Sequence, residues 1–355
     1  MNLLDRYIAR TVLLYTLMVT AVLLALASLF TFIGQQDDIG TGSYDVGNAF
    51  VFTMLSLPQQ LFESLPIAAL IGAILGLGNL ARDSELTVMR AAGVSVARIG
   101  VSSAMAGVVL MGLMWVLGEY VAPPADQYAR QLKIFSKFAE YNAAGNKSSW
   151  VKDGSRFINI QQQTADNMFG GVYVFEFAPN RRLAGVARAS SAVNEGGRSW
   201  RFENYEETRF EDGRTVASRD SAREMQVSIS RDFLGLAVVS PESLPVRALW
   251  NYVGHLKAND LESAPYEIAL WSRIARTTAI VLVCILAVPF AFSPLRSSGA
   301  GARTVAGILT GVLFFLVNRT LENSGQVYGL SPLVAAWAPT ALLALVTVTA
   351  IWRTR

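Results

Sequence analysis

The sequence predicts an α-helical integral membrane protein of six transmembrane helices, with an all-β, jellyroll-like domain inserted between the third helix and the fourth. Three observations carry that prediction. The 355 residues are 52% hydrophobic and only 16% charged. Ionisable residues are missing from several runs long enough to cross a bilayer. Between the third run and the fourth lies one long stretch of soluble composition.

From Thr11 to Gln36, from Val46 to Ala81 with only Glu63 interrupting, and from Ile99 to Gly118 the chain is almost free of charge, and the same pattern returns from Thr277 onward. Roughly 20 apolar residues cross a hydrocarbon core of about 30 Å. Spans are therefore expected at 11–33, 49–81, 99–121, 270–294, 304–322 and 333–352. The first run is too long for the core of a cleavable signal and no small-residue cleavage site follows it, so it is expected to stay as an anchor.

Orientation follows from the short connections. One set holds Arg6, Arg10, Arg82, Arg90, Arg98, Arg296, Arg303, Arg353 and Arg355, whereas the alternate loops around Gln35–Tyr44 and Asn323–Ser331 hold no Lys or Arg. The positive-inside rule then places both termini in the cytoplasm and the soluble stretch outside it.

Within that stretch, Arg156–Ile160, Gly171–Phe177 and Trp200–Tyr205 are short runs of β-formers in rough alternation. Turn signals separate them at Lys152-Asp153-Gly154, Pro179-Asn180, Glu195-Gly196-Gly197 and Asp212-Gly213, the pattern of an antiparallel sandwich or open barrel. Helices at Ala125–Ala139 and Leu244–Lys257 flank it. The division expected is helices 1–3 over 1–122, the β domain with its flanking helices over 123–265, and helices 4–6 over 266–355.

Several chemistries are excluded by what the sequence lacks. No G-x-x-x-x-G-K-[ST] loop occurs, and Gly145-Asn146-Lys147-Ser148 is only a superficial echo, so the chain is not expected to hydrolyse ATP or to carry a cofactor. One cysteine, Cys284, and one histidine, His255, can build neither a disulfide, nor a Cys/His metal site, nor a Ser/His/Asp triad. No catalytic residues and no metal are predicted. The net charge of +3 lies in the arginines flanking the spans, without the basic and aromatic interleaving of a nucleic-acid surface. Glu63, about 20 residues up from Arg82, falls near the outer interface rather than mid-membrane, which disfavours a proton relay.

The loop Ala81–Ser95 is the most informative segment. Asp83 can cap a short helix, Glu85 suits its positive end, Leu86, Met89 and Arg90 fall on one face, and Gly93 ends it. A short amphipathic helix between two spans on the cytoplasmic side is the shape by which a permease docks a nucleotide-binding subunit; the plainer alternative is a helix lying on the membrane surface.

Several segments then resemble, in order along the chain, those of the LptF/LptG permeases of the lipopolysaccharide export transporter. They are Leu4-Asp5-Arg6-Tyr7-Ile8, Gly42-Ser43-Tyr44-Asp45, Ser84–Met89 with Ala92-Gly93, Gly118–Pro123, Trp150–Gly154 and Ser293-Pro294-Leu295-Arg296. The Gly-Ser-Tyr-Asp and Trp-x-Lys-Asp-Gly segments are closer to the LptG branch. The resemblance implies an inner-membrane permease paired with its paralogue LptF on a dimeric cytoplasmic ATPase (LptB-like), which alone binds ATP. It implies that Glu85, Leu86, Met89, Arg90 and Gly93 form the coupling helix. It also implies a periplasmic jellyroll that hands lipopolysaccharide to jellyroll partners, an LptC-like protein and an LptA-like bridge, through a slot to which Phe157, Val172, Val174 and Phe202 are assigned. LptG members tend to carry lysines near the outer end of the first span; this chain has Thr31 there and Asp37 and Asp38 beyond, so those contacts do not carry over.

Other cations stand at that outer level. From Arg303 only Thr304–Asn318 are uncharged, so Arg319 rises just about 24 Å and falls in the outer leaflet. Arg273 and Arg276, one turn apart, begin the fourth span at the same level. Arg grips phosphate bidentately, so Arg319, Arg273 and Arg276 are candidate ligands for lipid phosphates, the plainer alternative being snorkelling to the headgroups. Arg130, Lys133 and Lys137, above the third span, could continue the basic path or form a solvated face. Two rival readings remain: a membrane scaffold that transports nothing, and a mechanotransmission permease, which usually has four spans.

Overall fold

The computed structural model describes residues 3–138, 149–165, 168–179, 182–196, 199–211, 214–227, 241–292, 300–327 and 330–353. The segments Gly145-Asn146-Lys147-Ser148 and Ser293-Pro294-Leu295-Arg296 lie outside the described residues. Two compact units are present, one of Met1–Lys137, Pro241–Val253 and Ser263–Arg355 and one of Phe138–Ser240 and Gly254–Glu262.

The first unit is helical. Its long elements are α1 (Leu3–Ile33), α2 (Val46–Arg82), α4 (Val96–Val116), α7 (Ala264–Phe292), α8 (Ala300–Val327) and α9 (Pro332–Arg353), with a short α3 (Glu85–Ala91) between α2 and α4. A π-helical turn, Leu117–Val121, joins α4 to α5 (Ala122–Phe138), and α6 (Val246–Ala258) precedes α7. Among the described residues, five helices are long and apolar enough to cross a membrane: α1, α2, α4 with its continuation, α7 and α9. The fifth expected span, on α8, holds a shorter apolar stretch, Leu309–Leu321, within 28 helical residues.

Helix α7 is the hub, packed against α2, α4, α8 and α9, while α1 lies along α2 and α4. Leu65, Leu70, Leu77, Ile99, Met114, Ile280 and Val283 are buried where they meet. Lipid is as apolar as leucine, so association of such helices depends on close fit and on interhelical hydrogen bonds. The α4–α7 seam has both. A Cβ on Gly107 would fall 2.8 Å from Cα of Val281, and Ser103 Oγ donates to the Cys284 carbonyl at 2.6 Å.

Among the described residues, the second unit contains one antiparallel sheet of six strands: β1 (Ser149–Asp153), β2 (Arg156–Ala165), β3 (Met168–Phe177), β4 (Leu183–Gly196), β5 (Ser199–Glu211) and β6 (Arg214–Gln226). The three expected runs are the cores of β2, β3 and β5. The strands pair in sequence order, β1 to β6, an up-and-down arrangement with no jellyroll crossover among the described residues. One face buries Ile158, Ile160, Val172, Val174, Ala187, Ala189, Phe202 and Tyr205. At Asn204, with φ of +48°, β5 breaks its alternation, so Phe202 and Tyr205, three apart, both face the core with ring centroids 6.1 Å apart.

Candidate functional site

The structure brings Arg273, Arg276 and Arg319 together. They line one cavity in the helical unit, with Gln59, Phe62 and Glu63 from α2, Ile268, Ala269 and Ser272 from α7, and Glu242. Glu63 therefore lies at the level of the three arginines, where the count along α2 from Arg82 puts it.

The arginines differ in role. Arg273 is only 6% exposed, its Nη1 donates to the Glu242 carbonyl at 3.0 Å, its Nη2 donates to the Gly118 carbonyl, and its guanidinium stacks 4.5 Å from the Phe62 ring centroid. Gly118 sits in the π-helical turn, and a Cβ there would fall 2.6 Å from Phe62 Cε2, so a larger residue would push out the ring on which Arg273 rests. Next to it, Glu119 accepts from the backbone N–H groups of Val246 at 2.8 Å and Arg247 at 3.1 Å, satisfying the start of α6. This knot ties α2, the π turn, α6 and α7 together; Glu119 falls within the Gly118–Pro123 segment, but its role was not legible there because its partners lie over a hundred positions away. Arg276 and Arg319 are the more open members of the set, half-buried and exposed.

Arg130 and Lys133 do not line this cavity. Arg130 Nε donates to Asp126 at 2.8 Å and its Nη2 to Ser243 Oγ at 3.3 Å. Lys133 Nζ is 2.6 Å from Asp38 and 2.8 Å from Gln35 Oε1, and Lys137 also pairs with Asp38. The cations above α4 thus meet a carboxylate at the end of α1, while Thr31 Oγ1 accepts from Gln60 Nε2 at 2.7 Å. Asp38, the residue that makes this end of α1 acidic, neutralises its basic neighbours.

The Ala81–Ser95 loop forms the expected short helix, α3. Gly93, at φ of +89°, ends it, with the Gly93 N–H donating to the Arg90 carbonyl and the Val94 N–H to the Met89 carbonyl. Asp83 is not its cap: it terminates α2, where Asn79 Nδ2 donates to it at 3.2 Å, and Ser84, at φ of +62°, precedes α3 without a side-chain cap. Leu86 is 1% exposed and Met89 packs against the helical core, so these two anchor α3 inward. Arg90 lies over the Phe292 ring at 5.5 Å. The outward residue that periodicity did not single out is Val88, 66% exposed.

In the sheet, Val172, Val174 and Phe202 share the buried face, but Phe157 does not. It pairs with Phe175 while its neighbour Ile158 pairs with Val174, so Phe157 points to the opposite face, edge-on to Phe177 at 5.4 Å. One end of the buried face is charged. Glu207, 7% exposed, accepts from Arg209 at 2.8 Å and from Arg223 at 2.5 Å, and Arg223 covers the Tyr205 ring at 5.0 Å. Burial alone would raise the Glu207 carboxyl, but the two guanidinium hydrogen bonds outweigh it and hold it below the usual carboxylate range. The Trp150–Gly154 segment also acquires a physical role: Lys152 Nζ donates to the Asn259 carbonyl at 2.6 Å and the Gly154 N–H to Asn259 Oδ1 at 2.9 Å. His255, one helical turn before Asn259, is pushed down by burial.

Long apolar helices with a sheet domain between them in sequence define a multi-pass membrane protein. Residues 6–353 match the family described as lipopolysaccharide export system permease LptF/LptG. The chain is 31% identical over 354 residues to the lipopolysaccharide export system permease protein LptG of Escherichia coli strain K12, covering 99% of this chain and 98% of that one. It is 29% identical over 342 residues to LptG of Haemophilus influenzae, covering 96% of each, and 26% identical over 330 residues to LptF of Escherichia coli strain K12, covering 87% and 84%. The chain belongs to the LptF/LptG family.

Proposed function

We propose that this chain is the LptG-type permease subunit of an ATP-driven lipopolysaccharide exporter. It takes lipid from the outer leaflet of the inner membrane into a cavity shared with an LptF-type partner, and lipid moves on to periplasmic jellyroll proteins of the LptC and LptA kinds. ATP is bound and hydrolysed by a separate LptB-like dimer that docks on α3. Both termini are cytoplasmic, α8 is the fifth of six spans, and the sheet domain is periplasmic.

The observation that carries this reading is the cavity lined by Arg273, Arg276 and Arg319 among helices with exposed apolar faces, such as Leu17, Met18, Leu26 and Phe30 on α1 and Leu309, Leu313 and Leu316 on α8. A cationic cavity beside apolar helix surfaces suits an amphiphile with an anionic head. The chain should be purified with its paralogue and the ATPase, and its bound lipid identified by mass spectrometry. Lipopolysaccharide as the main retained lipid is expected. A complex that brings down an ATPase yet retains only phospholipid would instead favour the mechanotransmission reading, and one that brings down no ATPase would favour a scaffold.

A further inference from the structure

The segment Leu4-Asp5-Arg6-Tyr7-Ile8 begins α1, the helix whose exposed face carries Leu17, Met18, Leu26 and Phe30. An aspartate in the first turn of a helix has a plain use, since it favours the positive end of the macrodipole. Asp5 does more than that. Its Oδ1 accepts from Ser102 Oγ at 2.8 Å, and its Oδ2 lies 3.6 Å from Arg98 Nη2. Ser102 and Arg98 stand one turn apart on α4; Ser102 is fully buried and the Asp5 side chain is only 16% exposed. The Ser102 hydroxyl also lies 3.1 Å from the Arg98 carbonyl, the usual partner of a helical serine, but its shorter contact is to the carboxylate. Ser95 caps α4 by accepting from the Arg98 N–H, and only residues 92–95 separate α4 from α3. Just beyond the other end of α1, Asp38 pairs with Lys133 and Lys137 of α5, and the Ser43 N–H donates to the Ser136 carbonyl at 2.7 Å. Because α4 continues into α5 through the π turn, α1 is fastened near both ends to one long helix.

We propose that Asp5 is a positioning residue that clips the inner end of α1 to α4 and so passes movement of α3 on to α1. When the docked ATPase displaces α3, α4 moves with it, and the link from Arg98 and Ser102 to Asp5 carries α1 along, shifting its apolar face against lipid. The inference rests on the proposed docking of the ATPase at α3. Between helices in a bilayer, apolar contacts can be exchanged for equally apolar lipid, whereas a charge-assisted hydrogen bond holds one geometry. Arg98 is 48% exposed, so its ion pair alone is weak, and the buried Ser102 hydroxyl is what fixes the arrangement. On the other side of α3, α2 also grips α1: a Cβ on Gly72 would fall 2.4 Å from Cα of Thr16. The two helices that bracket α3 thus both hold α1. Asp5 therefore favours movement of α1, α2 and α4 as one block over independent sliding of α1.

The full chain, with its paralogue and ATPase in proteoliposomes, should be assayed for ATP hydrolysis and lipopolysaccharide release together, with co-purified ATPase and thermal unfolding as controls. Asp5→Ala should keep the ATPase bound and hydrolysis within about twofold of wild type, while release per ATP hydrolysed falls about tenfold. Asp5→Asn keeps an acceptor for Ser102 and should lose less. Ser102→Ala should lose several-fold, and Asp5→Ala with Ser102→Ala should lose no more than Asp5→Ala alone, because both remove the same link. An environment-sensitive fluorophore on Phe30→Cys, near the outer end of α1, should change its signal when ATP is added and lose that change in Asp5→Ala. Cys284 is fully buried, so within this chain the label stays at position 30. Wild-type release per ATP in Asp5→Ala, or an undiminished ATP-driven signal at position 30, would overturn the clip while leaving the permease reading intact. A matched fall in hydrolysis, release and unfolding temperature across these variants would mark a merely structural contact and overturn it too, as would loss of the bound ATPase from Asp5→Ala, which would make Asp5 part of the docking surface. No release by the wild-type complex would overturn the permease reading and the inference with it.

Discussion

Lys133 Nζ lies 2.6 Å from Asp38 Oδ2, so a lysine that the sequence offered as a lipid ligand is already paired across the outer end of α1. Lys137 shares the same carboxylate. Asp38→Asn should release both ammonium groups and increase binding of phosphorylated lipid A at low salt, with the gain fading at high salt as screening sets in. Thermal stability should fall by about 1 kcal/mol, the scale of a partly exposed pair of ion pairs. Lipid titration at two ionic strengths checks this, and reduced binding would show that the acidic end itself engages the substrate through a bridging cation.

Arg273 should behave as a structural residue. Removing it by Arg273→Ala leaves the Gly118 and Glu242 carbonyls without their buried donor and should cost about 3 kcal/mol. Arg273→Lys keeps the charge but not the fork, and should be intermediate. Unfolding temperature in detergent is the readout. A variant with wild-type stability and lost lipid affinity would instead make Arg273 a direct ligand.

In the sheet unit, Glu207 links acidity to stability. Its folded carboxyl titrates below its ordinary value near 4.5, so its contribution is present in full above that value and is lost as pH falls through and below it. Glu207→Gln should be less stable than wild type by about 1–3 kcal/mol at neutral pH, with the difference shrinking in acid. Hydrogen exchange in β5 at neutral and acidic pH measures both. A difference that grows in acid would have the wrong sign.

Much of the helical architecture was readable because a bilayer filters composition: a run without charge from Thr11 to Gln36 has few alternatives to a span. The sheet was half legible. β4, rich in Ala and Ser, and β6, with Asp220 and three arginines, lack bulky β-formers and are held by pairing with β5 along their length, a non-local interaction invisible to local propensity. Phe157 was misplaced by one position, and in a strand one position is the other face. At the cavity the residue types were readable but the division of labour was not. Arg273 and Arg276 stand one turn apart with the same chemistry, and only packing against Phe62 and the π turn separates the positioning residue from the open one.

The helix α3 also changes which substitution is informative. Met89 and Leu86 hold α3 to the helical core, so Met89→Asp places a charge in a packed interface and should lower stability together with coupling. Val88 points outward, and Val88→Asp should leave unfolding temperature within the range of an ordinary surface change, about 0.5 kcal/mol.

The most direct measurement is ATP-driven lipopolysaccharide release from proteoliposomes containing this chain, its paralogue and the ATPase, with periplasmic acceptor protein supplied outside. Release that requires this chain and ATP, and that Val88→Asp abolishes while the complex stays folded, is the predicted result. Full release by Val88→Asp with intact ATPase stimulation would contradict docking on α3, and release at the same rate without this chain would contradict its role as a permease.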